Sequence, residues 1–193
     1  HDANSSVISR ILESEKLPLE QRVWYRYPHQ PLEWQITPNT INTPSVVARV
    51  LDDGTTQYSL FEYNALGKVT KATDPVGRVT SNIYDTNQID LLEVHQTIGT
   101  QDDLLAKFSY NNQHLPLTAT DASGQTTAFT YNLEGQFKTL TNPKSEITTL
   151  TYNPQGYLTQ FAVNSSLLIS FTYDNFGRVR TATNSENYTI ITD

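Results

Sequence analysis

Short runs of alternating apolar and polar residues fill the chain from about residue 45 to its end. Runs such as "KVTKAT", "QFKTLT", "YLTQFA" and "RVRTAT" are rich in β-branched and aromatic residues. Alternation with a period of two places the apolar residues on one face of a strand. A second set of runs, such as "QTTAFTY" and "LLISFTY", leads into a tyrosine. The pattern predicts an all-β structure whose strands are about six residues long.

Polar clusters separate these runs and indicate hairpin turns. "DPVG", "DASG", "NPKS" and "NSEN" are examples, and Asp or Asn followed by Pro or a small residue favours a tight turn. Asp53-Gly54 predicts one further turn. From residue 63 onward, we predict turns at 64–67, 74–77, 121–124, 132–135, 142–145, 153–156 and 174–177.

A Tyr-Asn or Tyr-Asp pair recurs along the chain and defines a repeating unit. The tyrosines are Tyr63, Tyr84, Tyr110, Tyr131, Tyr152 and Tyr173. Their spacings are 21, 26, 21, 21 and 21 residues, which is too regular for chance in a chain with 11 Tyr. Each unit is predicted to be one antiparallel β-hairpin. The next tyrosine of the period would fall at position 194, one residue past Asp193, so we expect the protein to continue into another unit.

The fourth residue after each tyrosine also repeats. It is glycine in four units, and Gln88 and His114 stand there in the other two. Glycine supplies the positive φ that such a turn needs, so we predict a role in the turn rather than in ligand binding, and a positive φ at His114 as well. The four glycines are Gly67, Gly135, Gly156 and Gly177.

Large residues stand two positions before most of the tyrosines and therefore share a face with them. Isolated hairpins are marginal in water, so neighbouring units should pair edge to edge and stack these residues into a ladder in a curved sheet. The ladder residues Phe108, Phe129, Leu150 and Phe171 should be more buried than Thr130, Thr151 and Thr172. To the other, wetter face we assign Thr127, Ala128, Thr148, Thr149 and Thr172.

Two regions depart from the pattern. The interval from Tyr84 to Tyr110 holds five extra residues, and "TIGTQDD" is predicted to be a lengthened hairpin loop whose Asp102-Asp103 tip is solvated rather than a cation site. Residues 1–44 are predicted to form an irregular and strand segment, and residues 45–193 the repeat region. In the first segment, "SVISRILESEKLPLEQ" fits a helix or a strand, "RVWYRYP" fits a strand, and Pro28 to Pro44 fits an irregular connection.

The stretches "YNALGKVTKATDPVGRVTSNIYD" and "YDNFGRVRTATNSEN" resemble YD repeats. These are the units of RHS-repeat proteins, of the B and C components of insecticidal toxin complexes and of the teneurin shell. The resemblance covers residues 63–193, with a degenerate unit at about 45–62. It implies a sheet that spirals into a hollow shell, which in polymorphic toxins encloses a C-terminal effector. Gln88 and His114 depart from the repeat pattern, and the aspartate-bearing core motif that carries self-cleavage in such shells is not present in this sequence. A β-propeller is the alternative fold, since two units match the length of a four-stranded blade.

Composition and motifs exclude several functions. The net charge of −7 and the lack of a basic run argue against nucleic acid as a partner. No apolar stretch approaches the roughly 20 residues of a membrane span. The chain has no Met, so we expect a piece of a longer protein, and the lack of Cys excludes disulfides and thiolate metal sites. The four histidines lack metal-ligand spacing, and nucleophile elbows, phosphate loops and zinc-protease helices are absent. The sequence therefore predicts no catalytic, cofactor-binding or metal site, and no enzyme.

The expected function is that of a structural segment in an effector-enclosing shell of an exported bacterial protein, secreted or at the cell surface. Its partners would be the flanking repeats and an enclosed C-terminal toxin domain. The alternative is an extracellular binding module that recognises carbohydrate or a protein through exposed Tyr and Trp. The last run, "YTIIT", is β-prone and uncharged, so we also expect self-association through the open C-terminal edge.

Overall fold

Strands form where the alternating pattern predicts them. The computed structural model describes residues 12–28 and 43–192, and within these ranges the chain contains strands and turns but no helix. The all-β prediction is therefore confirmed. Seven strands lie wholly in the first 105 residues: β1 (Ser14–Glu15), β2 (Val23–Arg26), β3 (Val46–Val50), β4 (Thr56–Tyr63), β5 (Val69–Thr73), β6 (Val79–Tyr84) and β7 (Leu91–Ile98).

The chain divides into two compact units, His1–Leu105 and Ala106–Asp193. Strand β8 (Gln101–Tyr110) runs through this division. The strands that follow are β9 (Pro116–Asp121), β10 (Thr126–Tyr131), β11 (Phe137–Thr141), β12 (Ile147–Tyr152), β13 (Leu158–Val163), β14 (Ser166–Tyr173), β15 (Val179–Asn184) and β16 (Thr189–Ile191).

The strands are antiparallel, and their order in the sheet is the order of the chain. Short turns between consecutive strands enforce this arrangement, because only antiparallel neighbours can be joined by a hairpin. In the compact unit Ala106–Asp193, strands β9 to β16 are consecutive neighbours in the sheet. These eight strands are twice the four of a propeller blade. The propeller alternative is therefore wrong.

The predicted turns are confirmed by their hydrogen bonds. In each, the backbone N–H of the fourth residue donates to the carbonyl of the first, as from Gly135 to Asn132 over 3.1 Å. The same bond closes the turns at 64–67, 74–77, 121–124, 142–145, 153–156 and 174–177. The fourth residue of each has a positive φ, +79° at Gly135 and +64° at Ser145. Gly54 closes its turn in the same way, on the Leu51 carbonyl at 3.0 Å.

The ladder residues and the threonines that follow them face the sides of the sheet that were predicted. Phe129, Leu150 and Phe171 are half-buried, and the threonines that directly follow them are exposed. Phe108 is half-buried as well. Across the strands these residues oppose apolar partners, with the pairs Phe108 and Ala119, Phe129 and Leu140, Leu150 and Phe161, and Phe171 and Ala182.

Two threonines assigned to the wetter face lie on the ladder face instead. Thr127 and Thr148 stand two residues before Phe129 and Leu150 in unbroken strand. Side chains two apart point to the same side of a sheet, so this assignment was wrong. Ala128, Thr149 and Thr172 do lie on the opposite face.

Within each compact unit, the described strands form one layer. The contacts recorded between strands join neighbours in the sheet. Val23, Tyr27 and Asp90 are the only buried residues in the described ranges, and no described side chain is completely enclosed. In each unit the apolar face is thus half-buried by its own neighbours.

The longer interval between Tyr84 and Tyr110 does not have the predicted structure. "TIGTQDD" is not a lengthened loop, because β7 and β8 extend through it and meet at a two-residue turn, Gly99 and Thr100. Gly99 has a φ of +62°, which a tight two-residue hairpin turn requires. A second part of the extra length lies in the preceding turn, where Asp85 N–H donates to the carbonyl of Asp90, five residues on. In the regular units this bond spans four residues.

The N-terminal predictions are tested in part. "RVWYRYP" contains strand β2, as predicted, and the described end of the preceding stretch forms strand β1 and a turn rather than a helix. Most of the Pro28 to Pro44 connection lies outside the described residues. The boundary between residues 44 and 45 stays a prediction.

Candidate functional site

The Asn or Asp after each repeat tyrosine organises the turn that follows it. In the unit that begins at Tyr152, Asn153 Oδ1 accepts hydrogen bonds from the backbone N–H groups of Gln155 at 3.1 Å and Tyr157 at 2.9 Å. Asp174 does the same for Phe176 and Arg178 one unit later. A short side chain with an acceptor oxygen can satisfy the N–H groups of a tight turn, which explains why Asn and Asp share this position.

The turn aspartates also hold an arginine. Asp174 Oδ2 lies 2.7 Å from Arg178 Nε, and Asp74 makes the equivalent contact with Arg78 at 2.6 Å. The backbone N–H of Arg178, together with its guanidinium, lowers the pKa of Asp174. Both arginine side chains are more than half exposed, so the pairs contribute little to stability and mainly fix the turn.

Four of the repeat tyrosines tie their units to the residues before them. Tyr131 Oη donates to the carbonyl of Pro116 at 2.9 Å, Tyr152 Oη to that of Phe137 at 2.7 Å, and Tyr173 Oη to that of Leu158 at 2.6 Å. Each acceptor lies 21 residues after the previous one and begins a strand. In the first unit, Tyr63 Oη bonds the Pro44 carbonyl at 2.8 Å, and burial raises the pKa of Tyr63. The sequence reasoning placed these rings in the ladder but missed the hydroxyl.

The turn glycine has a second role in two units. A side chain from the preceding unit lies over it: Gln136 over Gly156, and Tyr157 over Gly177. Gln136 Nε2 also donates to the Gly156 carbonyl at 2.8 Å, and Tyr157 stacks on Tyr173 with ring centroids 5.0 Å apart. At Gly67 and Gly124 the space beside the Cα is open, so there only the positive φ favours glycine.

The residues that replace glycine in two units adopt the same positive φ. Gln88 has a φ of +60° and His114 a φ of +61°, so the prediction of a positive φ at His114 is confirmed. Gln88 takes part in a bond between units, because its carbonyl accepts from Asn64 Nδ2 at 2.9 Å.

Two grooves in the compact unit Ala106–Asp193 are lined by residues that stand 21 positions apart. The first has a volume of about 440 Å³ and the second about 530 Å³. Equivalent residues line them: Asn132, Gln136, Leu150 and Gly156 in the first correspond to Asn153, Tyr157, Phe171 and Gly177 in the second. The grooves are open furrows between adjacent units.

Hydroxyl groups pair across the strands on the opposite face. Thr130 Oγ1 and Thr139 Oγ1 lie 2.6 Å apart, as do the hydroxyls of Thr172 and Thr181. Further pairs join Ser109 to Thr118, Thr120 to Thr126 and Thr183 to Thr189. This face is held by hydrogen bonds between threonines, whereas the ladder face is held by apolar contact.

The long hairpin holds a cluster of ionisable side chains. His95 Nδ1 lies 2.9 Å from Asp102 Oδ2, and His95 Nε2 lies 3.3 Å from Glu93 Oε2. Asp103 accepts from Gln101 Nε2 at 2.8 Å and is not part of this cluster. The sequence reasoning treated His95 only as a strand residue, because its partner Asp102 lies across a turn that was predicted as a loop.

Metal-binding geometry does not appear in the described parts of the chain. Within residues 12–28 and 43–192, no group of three or more His, Cys, Asp or Glu side chains could hold a metal ion. The same ranges contain no helix long and apolar enough to span a membrane.

No protein-family model and no curated protein sequence matches the chain. Solved structures do match it. The crystal structure of TcdB2-TccC3-Cdc42 aligns with a TM-score of 0.61 at 13% identity, over 86% of this chain and 9% of that one. TcdB2-TccC3 without its hypervariable C-terminal region gives 0.60 at 13% identity and the same coverage. The Photorhabdus luminescens Tc holotoxin pore gives 0.58 at 13% identity, again over 86% and 9%.

These matches define the class of fold. The chain has the fold of a segment of the TcdB2-TccC3 toxin-complex structures, and it spans less than a tenth of their length. The resemblance of its motifs to the YD repeats of toxin-complex B and C components is confirmed at the level of the fold.

Proposed function

We propose that the chain is a wall segment of a YD-repeat shell that encloses a C-terminal effector. The observation that carries this proposal is the half-buried apolar face of the sheet in the compact unit Ala106–Asp193. An apolar sheet face is stable when a second layer covers it. No described strand of the same unit supplies that layer. In a shell wall, the flanking repeats continue the sheet and the enclosed polypeptide lies against the apolar face.

Similarity to known structures supports the same function. TcdB2-TccC3 has a hypervariable C-terminal region, and a region in the corresponding place beyond these repeats would be the enclosed effector. The wall has no catalytic task in this proposal. A toxin complex acts outside the cell that makes it, so the parent protein would be exported.

Limited proteolysis of the parent protein tests the proposal. We expect its C-terminal region to resist digestion as long as the wall is intact. Replacing Phe129 and Phe171 by Asp puts charge on the apolar face and should expose that region to protease. The matched control replaces Thr130 and Thr172 by Asp, one residue further along the same strands and on the other face, and should leave the protection unchanged. Rapid digestion of the C-terminal region in the unaltered protein would rule the proposal out.

A second candidate is a binding module, favoured by the two equivalent grooves. Tyr157 is partly exposed and stacks on Tyr173 in one of them, and an exposed aromatic ring can pack against a sugar. A row of grooves one unit apart suits a polymer with a regular repeat. Calorimetric titration with oligosaccharides should then show binding that Tyr157→Ala weakens and Tyr188→Ala does not, since Tyr188 lies outside the grooves.

The C-terminal edge is proposed to be the surface through which the 193-residue chain associates. The side chains of β16 are all exposed, with Ile190 at 68% and Ile191 at 69%. An uncharged, exposed edge strand recruits further strands. Light scattering should show concentration-dependent association that Ile190→Lys reduces, and strictly monomeric behaviour of the unaltered chain would show that the edge is already covered.

A further inference from the structure

The side chain of His95 is held by carboxylates on both of its ring nitrogens. Asp102 on β8 contacts Nδ1 and Glu93 on β7 contacts Nε2. Thr97 Oγ1 donates to the second oxygen of Asp102 at 2.7 Å, which orients that carboxylate. Ionised carboxylates can only accept hydrogen bonds, so both contacts are made together only when both ring nitrogens carry a proton. The geometry is therefore that of a cationic imidazolium between two anions.

This cluster lies where the hairpin has the least support from its neighbours. Pairing of β7 with β6 ends at Thr97, opposite Val79. Pairing of β8 with β9 begins at Ala106, opposite Asp121. Residues 98–105 lie between these two limits and pair with neither β6 nor β9. They are held by contacts within the β7–β8 hairpin. Asp102 lies in this stretch, and its contacts with His95 and Thr97 join it to β7.

The charged groups around His95 are few. Its partner on β6 is Ser81, and β6 carries no acidic or basic residue. On β8, Asp103 is bonded to Gln101, and Lys107 lies five residues beyond Asp102, past the tip, with an interaction of its own. On β7, Glu93 is the only other charged residue. Protonation of His95 is thus controlled by Glu93 and Asp102.

We propose that Glu93, His95 and Asp102 form a pH-sensitive clamp that orders the tip of the β7–β8 hairpin in mildly acidic to neutral solution and releases it as the pH rises. Loss of one ring proton breaks one of the two contacts and removes the positive charge between the two carboxylates. The tip then keeps the Thr97–Asp102 hydrogen bond but loses one of the two ionic contacts that support it, whereas the regular units lack a corresponding ion cluster in the described residues.

The pKa values give the sign of the effect. Hydrogen bonds from Glu93 and Asp102 raise the pKa of His95 above its ordinary value of 6.5. A raised histidine pKa contributes order that is complete below the unfolded value and is lost as the pH rises through the folded value. Hydrogen bonds from Thr97 and His95 lower the pKa of Asp102 below its ordinary 3.8, so its contribution is lost only in strong acid. The clamp is closed between these two limits.

Nuclear magnetic resonance on the 193-residue chain tests the proposal. The ring carbon shifts of His95 and the amide shifts and protection factors of Ile98 to Asp103 are followed from pH 5 to pH 9. We expect the tip amides to change with the same midpoint as the ring, above pH 6.5, and their protection factors to fall by about two- to fivefold, the range for exposed ion pairs. Protection factors rather than raw rates are compared, because intrinsic exchange also rises with pH.

Variants separate the clamp from other effects. Asp102→Asn and Glu93→Gln should each lower the midpoint of His95, and His95→Gln should abolish the pH dependence of the tip while the amides of β10 to β13 keep their shifts. Asp103→Asn is the matched control and should leave the midpoint unchanged. The proposal would be overturned if the tip amides did not change as His95 titrates. It would also be overturned if the midpoint of His95 fell as much in Asp103→Asn as in Asp102→Asn.

Discussion

In the unit that begins at Tyr131, the tyrosine hydroxyl bonds a carbonyl of the preceding unit, whereas the side-chain bonds of His95 in the long hairpin stay within that hairpin. The regular unit also packs aromatic rings across its strands: Phe137 lies 6.1 Å from Phe129 and 5.9 Å from Tyr131. Beyond Thr97, the long hairpin offers Ile98 and Leu104, which are both exposed.

The difference shows how stability is distributed along an open sheet. Regular units are stabilised by neutral hydrogen bonds and apolar contacts that reach the neighbouring unit, and such interactions do not change between pH 5 and 9. The tip of the long hairpin depends on charge and on its own two strands. We therefore expect substitutions in the regular units to be costly and substitutions in the tip to be mild.

The largest effect is expected from Gly177→Ala. A side chain at a φ of +80° costs about 1–2 kcal/mol, and the added Cβ would lie 2.6 Å from Tyr157 Cζ. Tyr157 would have to leave its stack with Tyr173, for a total of about 2–3 kcal/mol. Gly99→Ala in the long hairpin has open space, so it should cost the backbone term alone, about 1–2 kcal/mol. Urea unfolding of both variants measures the difference, and equal losses would remove the proposed packing role of Gly177.

Phe129→Ala comes next. The ring is half-buried and contacts Phe137, so we expect a loss of about 2 kcal/mol in the free energy of unfolding, below the range for fully buried rings. Leu104→Ala, at a side chain that is 40% exposed, should cost less than about 0.5 kcal/mol. A Leu104 variant as unstable as the Phe129 variant would mean that the tip is packed as tightly as the ladder.

Tyr131→Phe removes one hydroxyl and leaves the Pro116 carbonyl without this donor. We expect a loss of about 1 kcal/mol, seen as faster amide exchange in the two units that the bond joins. Tyr188→Phe is the control, since Tyr188 is 70% exposed, and it should be neutral. No loss at Tyr131 would show that ring packing alone joins the units.

The smallest effect is the pH dependence of overall stability. Because the pKa of His95 is raised, the protein should unfold at slightly lower temperature as the pH rises past 6.5 and through the folded pKa. His95→Gln should remove this part of the slope. Calorimetry at pH 6 and pH 9 on both proteins measures it, and an unchanged slope in the variant would assign the pH dependence to other groups.

The sequence was sufficient for the repeat, the turns and the parity of the strands, because these depend on local chemistry that recurs every 21 residues. Asn132, Gly135 and Phe129 each occupy a position whose role follows from its neighbours in the chain. The ties from Tyr131 to Pro116 and from Gln136 to Gly156 could not be predicted, since they depend on how one unit lies against the next. The His95 cluster was missed for a related reason: extra residues between two β-prone runs can lengthen a loop or the strands, and only the register across the turn distinguishes the two.

In each of these tyrosine bonds, the hydroxyl donates to a carbonyl earlier in the chain, which is synthesised before the tyrosine. Each bond joins a tyrosine to a carbonyl 15 residues earlier, from Tyr152 to Phe137 and from Tyr173 to Leu158. The strand that ends at a tyrosine can therefore dock as soon as that tyrosine leaves the ribosome or a translocation channel, while the remainder is still being synthesised or threaded. Such vectorial growth keeps the search for each contact local, and local contacts form fast. The nascent sheet would then expose a single growing edge at any moment of its synthesis.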